Sequence, residues 1–439
     1  MGVSTSSHGP RPTRRDFLRA AALAAASAAL PLRAAPLRAR VVVAGGGFAG
    51  AGCALALRRL APSIDVTLVD PDERYVTGPM SNAVLAGWRD IESITVSRAG
   101  LVRAGVRVVR DRVAAIDPAA HQVRLGNGNG LGYDRLVVAP GIRLRWNTPE
   151  GYDEASSLRM PHAWIPGAQT ALLAAQLRAM DDGGVVAISV PSGLMRCPPG
   201  PYERAGVIAA WLQQHRPRSK VLIFDANNHF PRQEIFEYAW KTRYPGMVEW
   251  ISPLDGGTVE RVDVGTSTLH TSRGAQKAAV ANVIPPQAPG QLAVDTGLAS
   301  GHGWCPVAAA TFESTLAKDV HVIGDACIAG AMPKSASAAY SQALRCASAI
   351  VAQLAGTEPS QEEMDSVCYS LLARSEALAI HGRFVITDGE IRSLPLPSPT
   401  RAPSPHEEAG LAAAWYRRIL AEAFAAPEGG AAATAGSPG

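Results

Sequence analysis

The sequence lacks long hydrophobic runs, closely spaced cysteine pairs and, once its first residues are set aside, any excess charge of one sign. Beyond residue 34 no segment reaches 18 apolar residues in a row, so no membrane-spanning helix is expected there. Six cysteines, Cys53, Cys197, Cys305, Cys327, Cys346 and Cys368, are too few to staple 439 residues, and none has zinc-type spacing. There is no Cys-x-x-Cys-His, which excludes a covalently attached haem on this chain. The chain carries 42 Lys and Arg against 38 Asp and Glu; setting aside five arginines and one aspartate in the first 34 residues leaves 37 of each sign. That balance offers no footprint for nucleic acid.

The first 34 residues are different in kind. "TRRDFLRAAALAAASAALPLRAAP" has twin arginines, Arg14 and Arg15, then Phe17, Leu18 and an Ala-rich apolar run too short to span a bilayer. It resembles a twin-arginine export signal. That route carries folded proteins, often around a bound cofactor, so the expectation is a cofactor enzyme of the periplasm, where disulfides persist.

The remaining length allows two or three domains. "RVVVAGGGFAGAGCALALRRL" reads as strand, turn and helix, with Gly45, Gly47 and Gly50 in the G-x-G-x-x-G pattern. The first glycine permits the tight turn, the second lets the backbone approach a pyrophosphate, and the third lets helix and strand pack closely. The pyrophosphate would meet free N–H groups at the helix start. "IDVTLVD" then ends in Asp70, twenty residues past Gly50, where an acid would hold a ribose hydroxyl. "VRVVRDRVAAID", "HQVRLGNGNG" and "YDRLVVAPG" predict a β-meander returning to the sheet at Gly141, a strand-to-loop corner near the cofactor.

A second unit, "GGVVAISVPSGLMRCPPGPYERAGVIAAWLQQ" to "KVLIFDA", repeats the strand, loop, helix and strand order without the glycine spacing. Pro191, Pro198, Pro199 and Pro201 remove N–H donors from its loop, so the fold of a nicotinamide domain is kept and its phosphate cradle lost. A third piece, "VHVIGDA", ends a strand in Gly324 and Asp325, ahead of a helix beginning near Pro333, Lys334 and Ser335. Asp325 is placed to accept from a ribityl hydroxyl of FAD, with Lys334 and the helix start facing the flavin's electron-rich edge. From Gly356 the chain is Pro- and Ser-rich, then offers one amphipathic helix, "LAAAWYRRILAEAFA", whose Trp415, Ile419, Leu420 and Phe424 suit core or dimer packing. The expected organisation is an export signal over 1–34, an FAD-binding domain over 35–150 and 291–355, a second Rossmann-like domain over 151–290, an interface domain over 356–426 and a disordered tail over 427–439.

Taken in order, "HAWIPGAQT", "RCPPGPYERAG", "GWCPV", "TFES", "VIGDA", "MPKS" and "AWYRRILAEAF" resemble the flavoprotein subunit of flavocytochrome c sulfide dehydrogenase, a relative of sulfide:quinone reductases. The resemblance runs from about Arg40 to Ala426. It implies an α/β fold of two Rossmann-like dinucleotide-binding domains, like glutathione reductase, with a small C-terminal interface domain. It further implies FAD, oxidation of sulfide to sulfur or polysulfide, and electron transfer to a separate c-type cytochrome subunit. By the family pattern Cys197 and Cys305 form a redox-active disulfide beside the flavin, with Arg196 and the helix near Tyr202 lowering the thiol pKa. Glu203 is implied as a nearby acid or base; its other reading is a first-turn carboxylate complementing the helix dipole. Cys53, Cys327, Cys346 and Cys368 are read as packing residues. Where many members carry a flavin-tethering cysteine this chain has Gly78, so FAD is expected to bind noncovalently, and Ala308 stands where the family tends to show an acid. Alternatives kept open are an NAD(P)H-linked or quinone-linked flavin oxidoreductase, and a noncatalytic or altered-substrate partner of a sulfur-oxidation complex.

Overall fold

The computed structural model describes residues 2, 37–299, 303–396 and 402–426; the export-signal motif and the tail from 427 lie outside them. Strand β1 (Arg40–Ala44), helix α1 (Phe48–Leu60) and strand β2 (Asp65–Val69) form the first βαβ unit. In β1 only Arg40 is exposed, and three successive valines are buried, as a parallel strand covered on both faces requires. Strands β3 (Arg107–Val109) and β4 (Arg135–Val138) join the same sheet. Between them Val113–Asp117, Gln122–Leu125 and Gly130–Gly132 form the expected meander, as a separate antiparallel sheet.

The chain then builds a second sheet from β5 (Val185–Val190), β6 (Lys220–Asp225), β7 (Val248–Ile251) and β8 (Val280–Val283), with helix α2 (Gly200–His215) between β5 and β6. Its order is β7-β6-β5-β8, all parallel. Pro201 falls in the first turn of α2, where a missing N–H costs no helical hydrogen bond. After β9 (Cys305–Pro306), the strand β10 (Val320–Val322) returns to the first sheet beside β4, completing the parallel order β10-β4-β1-β2-β3. Strand β11 (Cys327–Ile328) pairs with β9, and helix α3 (Ala336–Ala355) follows, its first turn capped by the Ser335 side chain.

The C-terminal part departs from expectation. Instead of a Pro- and Ser-rich linker with one helix, it forms an antiparallel sheet of β12 (Met364–Ala373), β13 (Glu376–Thr387) and β14 (Glu390–Leu394) before helix α4 (Pro405–Phe424). Helix α4 starts earlier than the apolar pattern implied because Ser404 and Glu407 make a reciprocal capping box. Trp415, Ile419, Leu420 and Phe424 are buried as packing residues. Phe424 stacks on Tyr75, with ring centres 5.6 Å apart, and meets Phe48 edge-on.

Candidate cofactor and thiol site

A cavity of about 470 Å³ runs from the β1–α1 turn across to the start of α2. Gly45 holds that turn at φ +100°, and a Cβ there would fall 2.3 Å from the Ala139 carbonyl oxygen. A Cβ on Gly50 would fall 1.9 Å from the Gly45 oxygen, so the third glycine is what lets the helix close on the turn. Gly47 has only ordinary contacts around its would-be Cβ, the nearest with Tyr75 at 3.6 Å, and it lines the cavity; the demand for glycine there comes from whatever fills the space. Gly141, at φ +64°, and Gly324, at φ +79°, line the cavity from the ends of β4 and β10.

Asp70 is buried at the end of β2, accepts from the Gly46 N–H at 2.5 Å and the Asp72 N–H at 3.0 Å, and pairs with Arg98 at 3.1 Å. Arg98 was not foreseen from the sequence: it lies outside any motif, yet it is buried, lines the cavity, and also donates to the Gly46 carbonyl.

FAD is the cofactor this fold implies, and the residues fit it. Asp325 edges the cavity with its Oδ1 buried and without a hydrogen-bond partner, as a group reserved for a ligand hydroxyl would be. Its carboxyl pKa is raised by burial, against the opposing pull of Arg196 and Lys334. Trp164 Nε1 and Arg98 Nε are likewise buried, unpartnered donors on residues lining the cavity. Beside Gly78 nothing lies within 4 Å of a would-be Cβ, so the position of the family's tethering cysteine opens on free space.

Lys334 differs from expectation. It does not line this cavity; its ammonium donates to the carbonyls of Asp325 at 2.8 Å and Cys327 at 2.9 Å, and sits 3.8 Å from the centre of the Trp304 ring. It fixes the Asp325 turn from behind.

At the far end, Cys197 lines the cavity in a left-handed conformation, φ +51°, its N–H donating to the Lys334 carbonyl at 2.8 Å. A Cβ on Gly200 would fall 3.1 Å from the Cys197 sulfur, so the thiol lies against the N-terminus of α2. Even so, its pKa is pushed above the ordinary thiol range: burial dominates, Cys368 and Glu203 add to it, and Arg196 and Arg204 oppose without prevailing. The expected lowering by Arg196 and the helix is therefore outweighed by loss of water around the sulfur. Arg204 is held rigid below the site, its guanidinium donating to Asn82, Asn282 and the carbonyls of His162 and Ala163 at 2.6–3.0 Å.

The sulfur pairing expected from the resemblance is not the one this geometry favours. All six cysteines are free thiols, and Cys305 is buried off the cavity on β9. The thiol that shares the cavity with Cys197 and Glu203, and bears electrostatically on Cys197, is Cys368 on β12. The cause is topological: β12, which no sequence motif marks, brings its middle to the mouth of α2. Burial pushes the Glu203 carboxyl up to about 7, opposed by the neighbouring Leu371 backbone, Asn82 and Arg204.

The two parallel sheets, the glycine turn, the acid at the β10 end and the thiols beyond it define a flavoprotein of the pyridine nucleotide–disulphide oxidoreductase class, whose family matches residues 39–161. Residues 170–285 match the family described as "Sulfide dehydrogenase (flavocytochrome c) flavoprotein chain, central". The chain is 64% identical over 42 residues, 10% of its length and 88% of the relative's, to the sulfide dehydrogenase flavoprotein chain of Chlorobaculum thiosulfatiphilum. It belongs to that family. It is also 34% identical over 116 residues to the sulfide-quinone reductase of Aquifex aeolicus, covering 26% of this chain and 27% of that one. The mitochondrial sulfide:quinone oxidoreductase of Mus musculus is 30% identical over 112 residues; the match covers 26% of this chain and a quarter of the mouse protein. In fold, the Aquifex aeolicus sulfide:quinone oxidoreductase superposes with a TM-score of 0.68 over 89% of this chain and 92% of its own, at 18% identity.

Proposed function

We propose that this chain is the FAD-carrying subunit of an exported enzyme that oxidises sulfide to sulfur or polysulfide and passes the electrons to a c-type cytochrome. One observation carries the reading: Cys197, Cys368 and Glu203 share a single cavity with the dinucleotide turn and Asp325. Family membership and the twin-arginine motif support the substrate and the periplasmic location.

FAD, when bound, supplies a two-electron acceptor. The chain's own part is sulfur and proton handling. With Cys197 and Cys368 joined as a disulfide, hydrosulfide attacks one sulfur; a new S–S bond forms as a persulfide, the old one breaks, and the other cysteine leaves as a thiolate holding the electron pair. Glu203 accepts the hydrosulfide proton, which a carboxyl titrating near neutrality can both take and return. With Cys197 as the released thiolate, Arg196 and Arg204 are the cations that favour its charge.

The test is an anaerobic sulfide titration of FAD-loaded protein followed in the visible spectrum. Loss of the oxidised flavin band is expected, abolished by Cys197→Ser and by Cys368→Ser and retained in Cys305→Ser. Bleaching that persists in the first two variants overturns the reading. A quinone acceptor is the second reading, favoured by the likeness to sulfide-quinone reductases; reoxidation by a short-chain quinone but not by cytochrome c selects it.

A further inference from the structure

Away from this cavity, β9 and β11 form a two-stranded parallel ladder whose register sets Cys305 directly beside Cys327. Neighbouring strands lie about 4.8 Å apart, and disulfides bridge Cα separations of about 4.4–6.8 Å. The backbone therefore already stands within bonding range. Both residues are buried, Cys305 at 0% and Cys327 at 2% exposure, and the two thiols feel each other electrostatically. Burial pushes both thiols up, Cys305 to about 11 and Cys327 to about 12, with the nearby Lys334 ammonium opposing at each. A second cavity of about 220 Å³ opens at this point, lined by Cys327, Trp304, Lys334, Met195, His229 and Phe230.

We propose that Cys305 and Cys327 are a second thiol–disulfide site, closed by a small organic disulfide that enters through this second cavity. Cys327 lines this cavity, and its thiol donates to the Gly324 carbonyl at 3.3 Å and Gln342 Oε1 at 3.4 Å; on giving up that proton its sulfur attacks one sulfur of the oxidant R–S–S–R, a mixed disulfide forms and one RS⁻ leaves. The Cys305 thiolate then attacks the Cys327 sulfur, forming the internal bond and releasing the second RS⁻. Two protein thiols give up two electrons and two protons, and the oxidant becomes two thiols. Closure ties β9 to the turn whose other end carries Asp325, the same turn Lys334 holds through two carbonyls. The site thus bears on the flavin pocket without being part of it, and it does not depend on the sulfide chemistry above.

The experiment incubates full-length, FAD-loaded protein with glutathione disulfide, quenches with acid, alkylates in denaturant and maps peptides without reduction. Cleavage after Lys318 places the two cysteines on different peptides. A Cys305–Cys327 cross-linked peptide is expected in the wild type and equally in the Cys197→Ser/Cys368→Ser double variant. Cys305→Ser should leave Cys327 carrying glutathione as a trapped mixed disulfide. Recovery of both cysteines alkylated after oxidation, or of Cys305 linked to Cys197, overturns the proposal. Failure of sulfide to bleach the flavin counts only against the function proposed above, because this readout is a mass and not a turnover.

Discussion

Glu203 is asked to do two things that pull against each other. Its folded pKa of about 7 lies above the 4.5 of a free glutamate because burial disfavours the carboxylate. A raised acid pKa stabilises the fold fully below about pH 4.5, and that contribution is lost as pH rises through about 7. The full span corresponds to about 3 kcal/mol, taken as an order of magnitude. Proton acceptance from hydrosulfide needs the opposite state, so flavin reduction by sulfide should rise through pH 7 as stability falls. Glu203→Gln should therefore melt higher than the wild type at pH 8 with little difference at pH 5. It should also slow flavin reduction by about 100-fold or more and flatten its pH profile. A variant whose stopped-flow rates still rise through pH 7 would remove Glu203 from the proton path. Gly78 makes a separate residue-scale prediction. Open space around its would-be Cβ means Gly78→Cys should be accommodated and, by the family's pattern, should leave flavin attached to acid-precipitated protein, whereas the natural chain releases all of it.

Elements explain both what could be read in advance and what could not. The β1–α1–β2 unit was legible because Gly45 and Gly50 answer local steric demands and Gly47 leaves its side open to the cavity, and Asp325 was legible because strand, glycine and acid fall together in sequence. Cys368 was not, since nothing adjacent to it signals chemistry; its role comes from β12 crossing to the mouth of α2, a contact about 170 residues distant in the chain. A signal for that sheet did exist. "RFVITDGEIRSL" places Asp388 and Gly389 between two apolar, β-rich runs, and both adopt positive φ, 54° and 77°, as a tight hairpin turn needs. Cys305 and Lys334 were misplaced for the complementary reason: their motifs are specific, but a motif does not reveal which side of a strand or turn faces the cavity. The α4 boundary rests on the capping box, and Ser404→Ala should cost about 1 kcal/mol, read as a lower urea midpoint with unchanged slope.

At the scale of the whole molecule, the two parallel sheets have nearly the same βαβ beginning and opposite fates. Asp225 closes β6 much as Asp70 follows directly on β2, the position where an acid would greet a nicotinamide cofactor's ribose. Asp70 faces a cavity; Asp225 is fully buried and accepts from the Tyr202 hydroxyl at 2.6 Å and the Trp250 indole at 2.9 Å. The Tyr202 ring in turn stacks on Phe230 with centres 3.6 Å apart, so aromatic side chains occupy the ground beside the acid. The loop before α2 supplies prolines where a pyrophosphate would need N–H groups, and spends its backbone on Cys197 instead: the Cys197 N–H donates to the Lys334 carbonyl and the Cys197 carbonyl accepts from the Gly200 N–H. The second sheet thus holds Cys197 in place where a nicotinamide domain would cradle a phosphate. Millimolar NADH should neither bleach the bound flavin nor change its fluorescence on binding, while sulfide does the former. Tyr202→Ala should uncover the acid without restoring NADH use, because the prolines still withhold the phosphate cradle. Rapid bleaching of the wild type by micromolar NADH would show that a nicotinamide site exists despite both obstacles, and would return the chain to the NAD(P)H-linked reductases.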